Sequence, residues 1–190
     1  MRTSKALLGV LMVVVLGMGT AAQAEDASYI GLKKCSMCHK KDATGNQLAK
    51  WEAGAHAGAY KTLASEEALA VAKELGIENP QADPKCLKCH VTAFSVMADL
   101  ENQKITMEEG VSCESCHGAG SGYYKKATMQ GIADGEIEAA SVGLVIPDED
   151  TCKGCHNEES PTFKAFDFAK ASAEIAHPIP EAAAEEAAAE

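Results

Sequence analysis

Cys113-Glu114-Ser115-Cys116-His117 is one of four copies of the pattern Cys-x-x-Cys-His in this chain of 190 residues. The copies are numbered in chain order as motif 1 (Cys35–His39), motif 2 (Cys86–His90), motif 3 (Cys113–His117) and motif 4 (Cys152–His156). Their first cysteines are 51, 27 and 39 residues apart, which is unlike the fixed period of a solenoid repeat. The pattern therefore indicates four separate sites on one chain.

The spacing within each motif matches the chemistry of covalent haem attachment. Side chains at i, i+3 and i+4 share one face of a helical turn, so the two thiols and the imidazole point the same way. The thiols can add to the two vinyl groups of a haem, and the imidazole can bind its iron. We therefore predict four covalently attached haem c groups, held by Cys35, Cys38, Cys86, Cys89, Cys113, Cys116, Cys152 and Cys155. The expected proximal iron ligands are His39, His90, His117 and His156.

Three other uses of cysteine compete with this interpretation. Eight cysteines could form four disulfides, Cys-x-x-Cys knuckles could bind zinc, and a single such motif could perform thioredoxin-like chemistry. None of them explains why a histidine follows every second cysteine in a chain with only six histidines. Four complete copies of the motif therefore favour haem.

The N-terminal segment is typical of a secretory signal peptide. Two basic residues precede an apolar run over residues 6–18, and Ala22-Gln23-Ala24 supplies the small-x-small pattern of a cleavage site. We predict a signal peptide over residues 1–24, a mature N-terminus at Glu25 and a periplasmic location. A retained anchor and an extracellular location are the alternatives. We expect no stable membrane span in the mature chain.

Charge argues against one class of partner. The chain has 17 basic and 28 acidic residues, and losing Arg2 and Lys5 with the signal would leave no arginine and a net charge near −13. Nucleic-acid binders need a basic face to neutralise phosphates, so we expect no nucleic-acid partner. An acidic surface suits a redox partner with a basic patch, although the same charge also keeps a protein soluble.

Histidines for the second axial position of the irons are in short supply. Four bis-His haems would need eight histidines, and only His56 and His177 remain outside the motifs. We predict both as iron ligands, so at most two haems are bis-His within one chain. Spacing does not tell which iron either one binds. The other positions fall to a water, to no ligand, to a neighbouring chain's histidine, or to a methionine: Met97, Met107 or Met129.

The rest of the sequence predicts a mainly α fold with much loop. Apolar residues recur at helical spacing over residues 47–63, and Ser65 is a predicted N-cap for a helix that stops at Gly76. We place one tetrahaem domain at residues 25–180. Residues 181–190 are only Ala and Glu and have no apolar face, so we expect a frayed helix or a disordered tail there.

The chain resembles the tetrahaem cytochromes of the c-554 type, which take electrons from hydroxylamine oxidoreductase in ammonia oxidisers. The resemblance rests on Tyr29-Ile30-Gly31, on Trp51 and His56-Ala57, and on residues 110–120 around motif 3. It implies a small multihaem cytochrome fold wrapped around four closely packed haems, with periplasmic electron transfer. One haem of that family lacks a sixth protein ligand, whereas the histidine count here falls short by two.

Three functions compete for such a chain. The leading hypothesis is an electron carrier, not an enzyme, with redox proteins as donor and acceptor and a monomeric or small oligomeric state. The second is a reductase acting at an open haem, for which the sequence shows no cluster of proton donors beyond the two spare histidines. The third is a subunit of an extracellular haem filament, against which the acidic tail and the low aromatic content argue.

Overall fold

The computed structural model describes residues 27–178, which form short helices joined by turns and loops, with no β-strand in that range. The α-helices are α1 (Leu32–His39), α2 (Gln47–Glu52), α3 (Ala59–Thr62), α4 (Glu66–Glu74), α5 (Pro84–His90), α6 (Cys113–His117), α7 (Lys126–Ala133), α8 (Glu149–Lys153) and α9 (Phe168–Ile175). Stretches of 3-10 helix fill many of the connections: Asp42–Thr44, Ala55–Gly58, Thr92–Asn102, Met107–Glu109, Gly120–Gly122 and Ala139–Val142. The predicted mainly α fold with much loop is confirmed.

Several predictions concern parts of the chain outside the described residues. They are the signal peptide at 1–24, the mature start at Glu25 and the Ala/Glu tail at 181–190, together with both ends of the predicted 25–180 domain. Among residues 27–178, none of the helices has the length and apolar character that crossing a bilayer requires.

Four helices begin at a short polar side chain that accepts a hydrogen bond from a first-turn amide. Ser65 caps α4 in this way, as the sequence predicted, and α4 is followed by a turn at Gly76 with φ of 69°. Asp83 caps α5, Asp148 caps α8 and Asp167 caps α9. Each such cap contributes about 1 kcal/mol to helix stability. The caps on α5 and α8 therefore fix the helical turns that carry motif 2 and the start of motif 4.

The helix expected over residues 47–63 is interrupted. α2 ends at Glu52, and Gly54 takes an extended conformation with φ −92° and ψ 163° before the 3-10 turn at Ala55–Gly58 and the short α3. Holding a glycine inside a helix costs about 1 kcal/mol more than holding an alanine, which favours a break at this point. The break places His56 in a tight turn and not on the face of a long helix.

The apolar core is small and surrounds motif 2. Its buried centre consists of Leu63, Leu87 and Val91. Leu87, inside motif 2, is fully buried, and Met107 packs against this centre. Packing of this kind is the ordinary role of methionine. Elsewhere large apolar side chains remain exposed, as at Ile146 with 71% of its surface.

Candidate haem sites

Each motif forms one helical turn that puts its two cysteines and its histidine on one face. Motifs 1, 2 and 3 lie within α1, α5 and α6. Motif 4 starts in α8, and a hydrogen bond of 2.9 Å from the His156 amide to the Cys152 carbonyl continues the turn beyond the helix. All eight cysteines are free thiols, so the sulfurs that haem attachment requires are present at every motif.

Three of the four motif histidines have Nδ1 held by an oxygen acceptor. The distances are 3.1 Å from His39 to Gln47 Oε1, 2.8 Å from His90 to the Ala59 carbonyl and 3.0 Å from His117 to the Val145 carbonyl. When Nδ1 donates to such an acceptor, the tautomer is fixed and Nε2 keeps the lone pair that binds a metal. Each of these three rings therefore has its Nε2 left to act as a metal ligand.

His156 of motif 4 is held by a ring contact. Its imidazole stacks on Phe166, with centroids 4.9 Å apart and planes inclined by 18°. A stacked aromatic partner restrains the plane of the ring. His56 lies near the same imidazole, with centroids 6.0 Å apart and planes at 68°. The first of the two histidines outside the motifs therefore faces motif 4.

His177, the second histidine outside the motifs, faces motif 3. The centroids of His177 and His117 are 6.0 Å apart and their planes are inclined by 45°. Metal–imidazole bonds are about 2 Å long and the ring centre lies about 1.1 Å beyond the nitrogen, so two imidazoles on one metal have centres roughly 6 Å apart. Both pairs of rings match this separation. Spacing in the sequence did not predict which motif histidine lies near each of these two rings.

Both pairs contain an imidazole that its surroundings keep neutral. Burial, and then the neighbouring His156, lowers the pKa of His56. Burial also lowers the pKa of His117, where the Val145 hydrogen bond acts in the opposite direction and His177 lowers it further. A metal binds only the neutral form of imidazole, so these shifts favour ligation.

The influence of cysteine thiols on one another's pKa values shows which motifs are neighbours. The Cys35 thiol of motif 1 hydrogen-bonds the Cys113 thiol of motif 3, which raises the pKa of Cys35 and lowers that of Cys113. Burial, and then the Cys89 thiol of motif 2, raises the pKa of Cys155 in motif 4 to about 11. In a haem protein these sulfurs are thioethers and do not ionise, so the shifts matter here as evidence of proximity. Motif 1 therefore lies beside motif 3, and motif 2 beside motif 4.

A third contact joins the two pairs. Burial raises the pKa of Cys116 in motif 3, and the nearby Cys152 of motif 4 raises it further. The order of the motifs in space is therefore 1, 3, 4, 2, which differs from their order along the chain. Motifs 3 and 4, whose histidines face His177 and His56, occupy the inner positions.

A buried carboxylate ties motif 3 to the segment that precedes motif 1. Glu114 is 2% exposed and accepts hydrogen bonds from the amides of Ile30 at 3.0 Å, Gly31 at 2.9 Å and Gly120 at 2.6 Å. Backbone donors of this kind stabilise a carboxylate that burial removes from water. Gly31 must be a glycine here, because its φ is 75° and a Cβ would lie 2.0 Å from the Lys104 carbonyl oxygen.

The link between motifs 2 and 4 lies at the surface. Lys88 in motif 2 forms an ion pair with Glu159, which follows motif 4. The Glu159 side chain is 70% exposed, and solvent-exposed pairs of this type contribute little to stability. The buried hydrogen bonds of Glu114 therefore link motifs 1 and 3 more strongly than the exposed ion pair links motifs 2 and 4.

Several supporting residues were not predicted from the sequence. Gln47 and Phe166 hold two of the motif rings, and Glu114 clasps motifs 1 and 3. The sequence shows Glu114 inside motif 3, but it gives no sign that this side chain is buried. The carbonyls of Ala59 and Val145 leave no trace in a sequence, because every residue carries one.

Comparison with known proteins agrees with this chemistry. The family described as cytochrome c554 and c-prime matches residues 34–118, which contain motifs 1, 2 and 3. Cytochrome c-554 of Nitrosomonas europaea is 33% identical over 145 residues, which cover 70% of this chain and 59% of the relative. This chain therefore spans about three fifths of the length of that relative. No solved structure matches.

Both matches confirm the resemblance to c-554-type cytochromes that the sequence indicated. The matched region includes His56 as well as three complete attachment motifs. A c-type cytochrome carries its haem covalently on such motifs. Through residues 34–118, the chain is similar to the cytochrome c554 and c-prime family of c-type cytochromes.

Proposed function

We propose that this protein is an exported c-type cytochrome with four covalent haems, which carries single electrons between redox proteins in the periplasm. Four complete motifs, each a helical turn with two free thiols, support the number of haems. The observation that carries the proposal is the arrangement of the six histidines. Two pairs of rings stand 6.0 Å apart, and the two remaining rings are held through Nδ1 with Nε2 left for a metal.

Each residue in this arrangement has a defined role. The residues that would tether haem through thioether bonds are Cys35, Cys38, Cys86, Cys89, Cys113, Cys116, Cys152 and Cys155. The proximal ligands would be His39, His90, His117 and His156. His56 would complete the iron of motif 4 and His177 that of motif 3, because each of them faces the histidine of that motif.

The order of the motifs suits a relay. A bound haem supplies one-electron exchange between the ferric and ferrous states of its iron. Successive sites are neighbours, since Cys35 lies near Cys113, Cys116 near Cys152, and Cys89 near Cys155. An electron entering at one end therefore has a chain of close neighbours to follow. The signal peptide at 1–24, the haem domain at 25–180 and the tail at 181–190 belong to the same proposal.

A reductase activity at an outer haem is the second candidate. Because His56 and His177 both face inner motifs, motifs 1 and 2 receive no second histidine from this chain. Iron at these two sites would take a different sixth ligand or leave the position open, and an open iron can bind a small molecule. Turnover of hydroxylamine or nitric oxide by the reduced holoprotein, measured against reoxidation by a protein acceptor, separates a reductase from a carrier.

The number and location of the haems can be measured directly. Mass spectrometry of the denatured holoprotein should give a chain beginning at Glu25 plus four haem masses, recovered from the periplasmic fraction. Expression in cells without a cytochrome c maturation system is the control and should give no covalent haem. Fewer than four haems, or zinc in their place, would contradict the proposal. An uncleaved N-terminus in the membrane fraction would contradict only the predicted export.

A further inference from the structure

Motif 1 has the most exposed attachment site of the four. Cys38 is exposed, whereas the other seven motif cysteines are half-buried. The comparison is like for like, because all eight side chains are free thiols. Beside Cys38, Met37 has 51% of its surface exposed. Two thioether bonds would hold a haem along one edge, so the exposure of Cys38 would leave this edge of a motif 1 haem open to solvent.

Exposed lysines lie on both sides of motif 1 along the chain. Two of them lie in the first turn of α1 and two follow its end: Lys33, Lys34, Lys40 and Lys41. Residues three and four apart share a helix face, so Lys34 lies on the same side of α1 as Met37 and Cys38. The exposed haem edge therefore has an apolar contact and a positive charge next to it, with further positive charges on both sides.

The charges of these lysines are available to a partner. In motifs 2 and 4 the lysines Lys88 and Lys153 are ion-paired, and these are the ion pairs found among residues 27–178. Residues 33–42 contain four lysines and one acid, Asp42, and so have a net charge of +3 by count. Motif 1 thus differs from the motifs whose lysines already face carboxylates.

This local charge has the opposite sign to that of the whole chain, which is −11. The asymmetry orients an approaching molecule, because an anionic group is drawn to one end and repelled elsewhere. A nucleic acid or an anionic membrane presents an extended negative surface, which the rest of this acidic chain would oppose. A protein needs to match only one small patch, and small interfaces are typical of transient redox encounters.

Building on the electron-carrier function, we propose that the edge of the motif 1 haem is a docking port for a redox protein whose own redox centre is surrounded by carboxylates. The lysines steer and orient this partner, and the exposed Met37 and haem edge form the contact through which the electron passes. For this face, the partner's charge is opposite to what the net charge of the sequence suggested.

The sign of the local charge can be measured with small redox ions. In the test, reduced holoprotein is mixed with ferricyanide, which takes one electron from a ferrous haem and becomes ferrocyanide while the haem becomes ferric. If oxidation proceeds through motif 1, the second-order rate should fall as ionic strength rises from about 10 to 150 mM, because salt screens an attraction. The cationic oxidant tris(phenanthroline)cobalt(III) should show the opposite dependence. A ferricyanide rate that rises with salt, as the net charge alone dictates, would overturn the proposal.

Charge-reversal variants locate the effect. The double variant Lys33→Glu, Lys34→Glu should slow ferricyanide oxidation roughly tenfold at low ionic strength and invert its salt dependence. The matched control is Lys125→Glu, Lys126→Glu, an exposed pair that also stands at the start of an eight-residue helix, α7. The control makes the same change in net charge and should alter the rate far less. Equal effects of the two variants would show that net charge governs the reaction, which contradicts a port at motif 1.

The class of partner requires its own measurement. Poly-L-glutamate should inhibit ferricyanide oxidation of the unmodified protein and inhibit the Lys33→Glu, Lys34→Glu variant much less. Binding to vesicles of phosphatidylserine and phosphatidylcholine, without inhibition by poly-L-glutamate, would overturn the assignment to a protein partner. Failure of the port and failure of the electron-carrier function are distinguishable. A holoprotein with four haems that are reduced and reoxidised, but with no lysine dependence, retains the function and loses the port.

Discussion

The inner and outer motifs differ in the number of histidines that lie close enough to bind an iron. Motifs 3 and 4 lie in the middle of the spatial order and each face a second histidine, at 6.0 Å in both cases. Motifs 1 and 2 lie at the ends and have one histidine each, held through Nδ1 by Gln47 and by the Ala59 carbonyl. The chain has too few histidines for four bis-His sites, and both histidines outside the motifs lie near the inner ones.

From this difference we infer that the four proposed sites have distinct tasks. Bis-His ligation favours low-spin iron of low potential, which suits a site that only passes electrons between neighbours. An outer site exchanges electrons with other molecules, and there exposure and surface charge matter more than a second histidine. Motif 1 shows this in the exposed Cys38 and the lysines around it. Motif 2 differs again, because its Leu87 is fully buried in the apolar core.

Removing His56 or His177 should leave one inner site with a single histidine, as at the outer sites. In His56→Ala or His177→Ala, one low-spin iron should become high-spin, because a strong-field imidazole pair is lost while the thioether bonds and the proximal histidine remain. The potential of that haem should rise by on the order of 0.1 V. Low-temperature electron paramagnetic resonance counts the spin states, and a redox titration gives the potentials.

The double variant sharpens this test. His56→Ala, His177→Ala should convert two irons, since the two histidines face different motifs. Gln130→Leu in α7 is the control and should leave all spin states unchanged, because this exposed side chain hydrogen-bonds Asp134. If a single variant altered two irons, or neither, the pairing of His56 with motif 4 and His177 with motif 3 would be wrong. Four bis-His irons in a monomer would also contradict it, since the chain holds six histidines.

The attachment residues could be predicted from the sequence, whereas the surroundings of the histidines could not. The attachment residues follow from local spacing, because one helical turn is enough to bring two thiols and an imidazole together. The partners of His56 and His177 could not be predicted, because residues 100 or 60 positions apart meet only through tertiary structure. The break at Gly54 was missed for a similar reason, since helical spacing continues across it.

The hydrogen bonds of Glu114, which link motif 3 to the segment before motif 1, should contribute a large share of the free energy of unfolding. Replacing Glu114 by Ala removes the acceptor for three backbone amides in a buried place, so the free energy of unfolding should fall by about 3 kcal/mol. Glu114→Gln retains one good acceptor and should lose less. Guanidinium denaturation followed in the Soret band gives both values.

An exposed carboxylate provides the control for that experiment. Glu136→Ala changes the net charge equally, and it should shift stability by less than about 0.5 kcal/mol. The same small loss in Glu114→Ala would show that the carboxylate does not hold motif 3 against the segment before motif 1. Glu114→Ala should also change the potentials of the haems on motifs 1 and 3 more than those of the haems on motifs 2 and 4. The reason is that Glu114 lies between motif 3 and the segment before motif 1.

Acid should affect the inner sites in a defined direction. The pKa of His56 lies below its ordinary value of 6.5, because burial and then His156 disfavour the charged ring. The folded state therefore keeps this ring neutral while the unfolded state takes up a proton, so stability is full above about pH 6.5 and falls as the pH drops below it. Iron bound to the ring disfavours its protonation further, so the spectrum of the holoprotein should shift toward high spin only below this range.

The histidine variants decide whether this acid transition belongs to the inner sites. His56→Ala should lack the part of the spectral change that arises at motif 4, and His177→Ala the part that arises at motif 3. An acid transition of unchanged amplitude in both variants would place the titrating group elsewhere. Measurements above pH 6.5 should show no such transition in the unmodified protein.

The smallest expected effect concerns the single histidine of motif 1, whose ring is oriented by Gln47 at 3.1 Å. Gln47→Glu should make that acceptor stronger and the imidazole more basic, which lowers the potential of haem 1, whereas Gln47→Leu should raise it, each by about 20–60 mV. Gln47 also donates through Nε2 to the Pro178 carbonyl at 3.0 Å, next to His177. Both variants lose this hydrogen bond to Pro178. Any change in potential that arises through the Pro178 segment should therefore have the same direction in both variants. Potentials of haem 1 that move in the same direction in the two variants would therefore show that Gln47 acts through the Pro178 segment and not through His39.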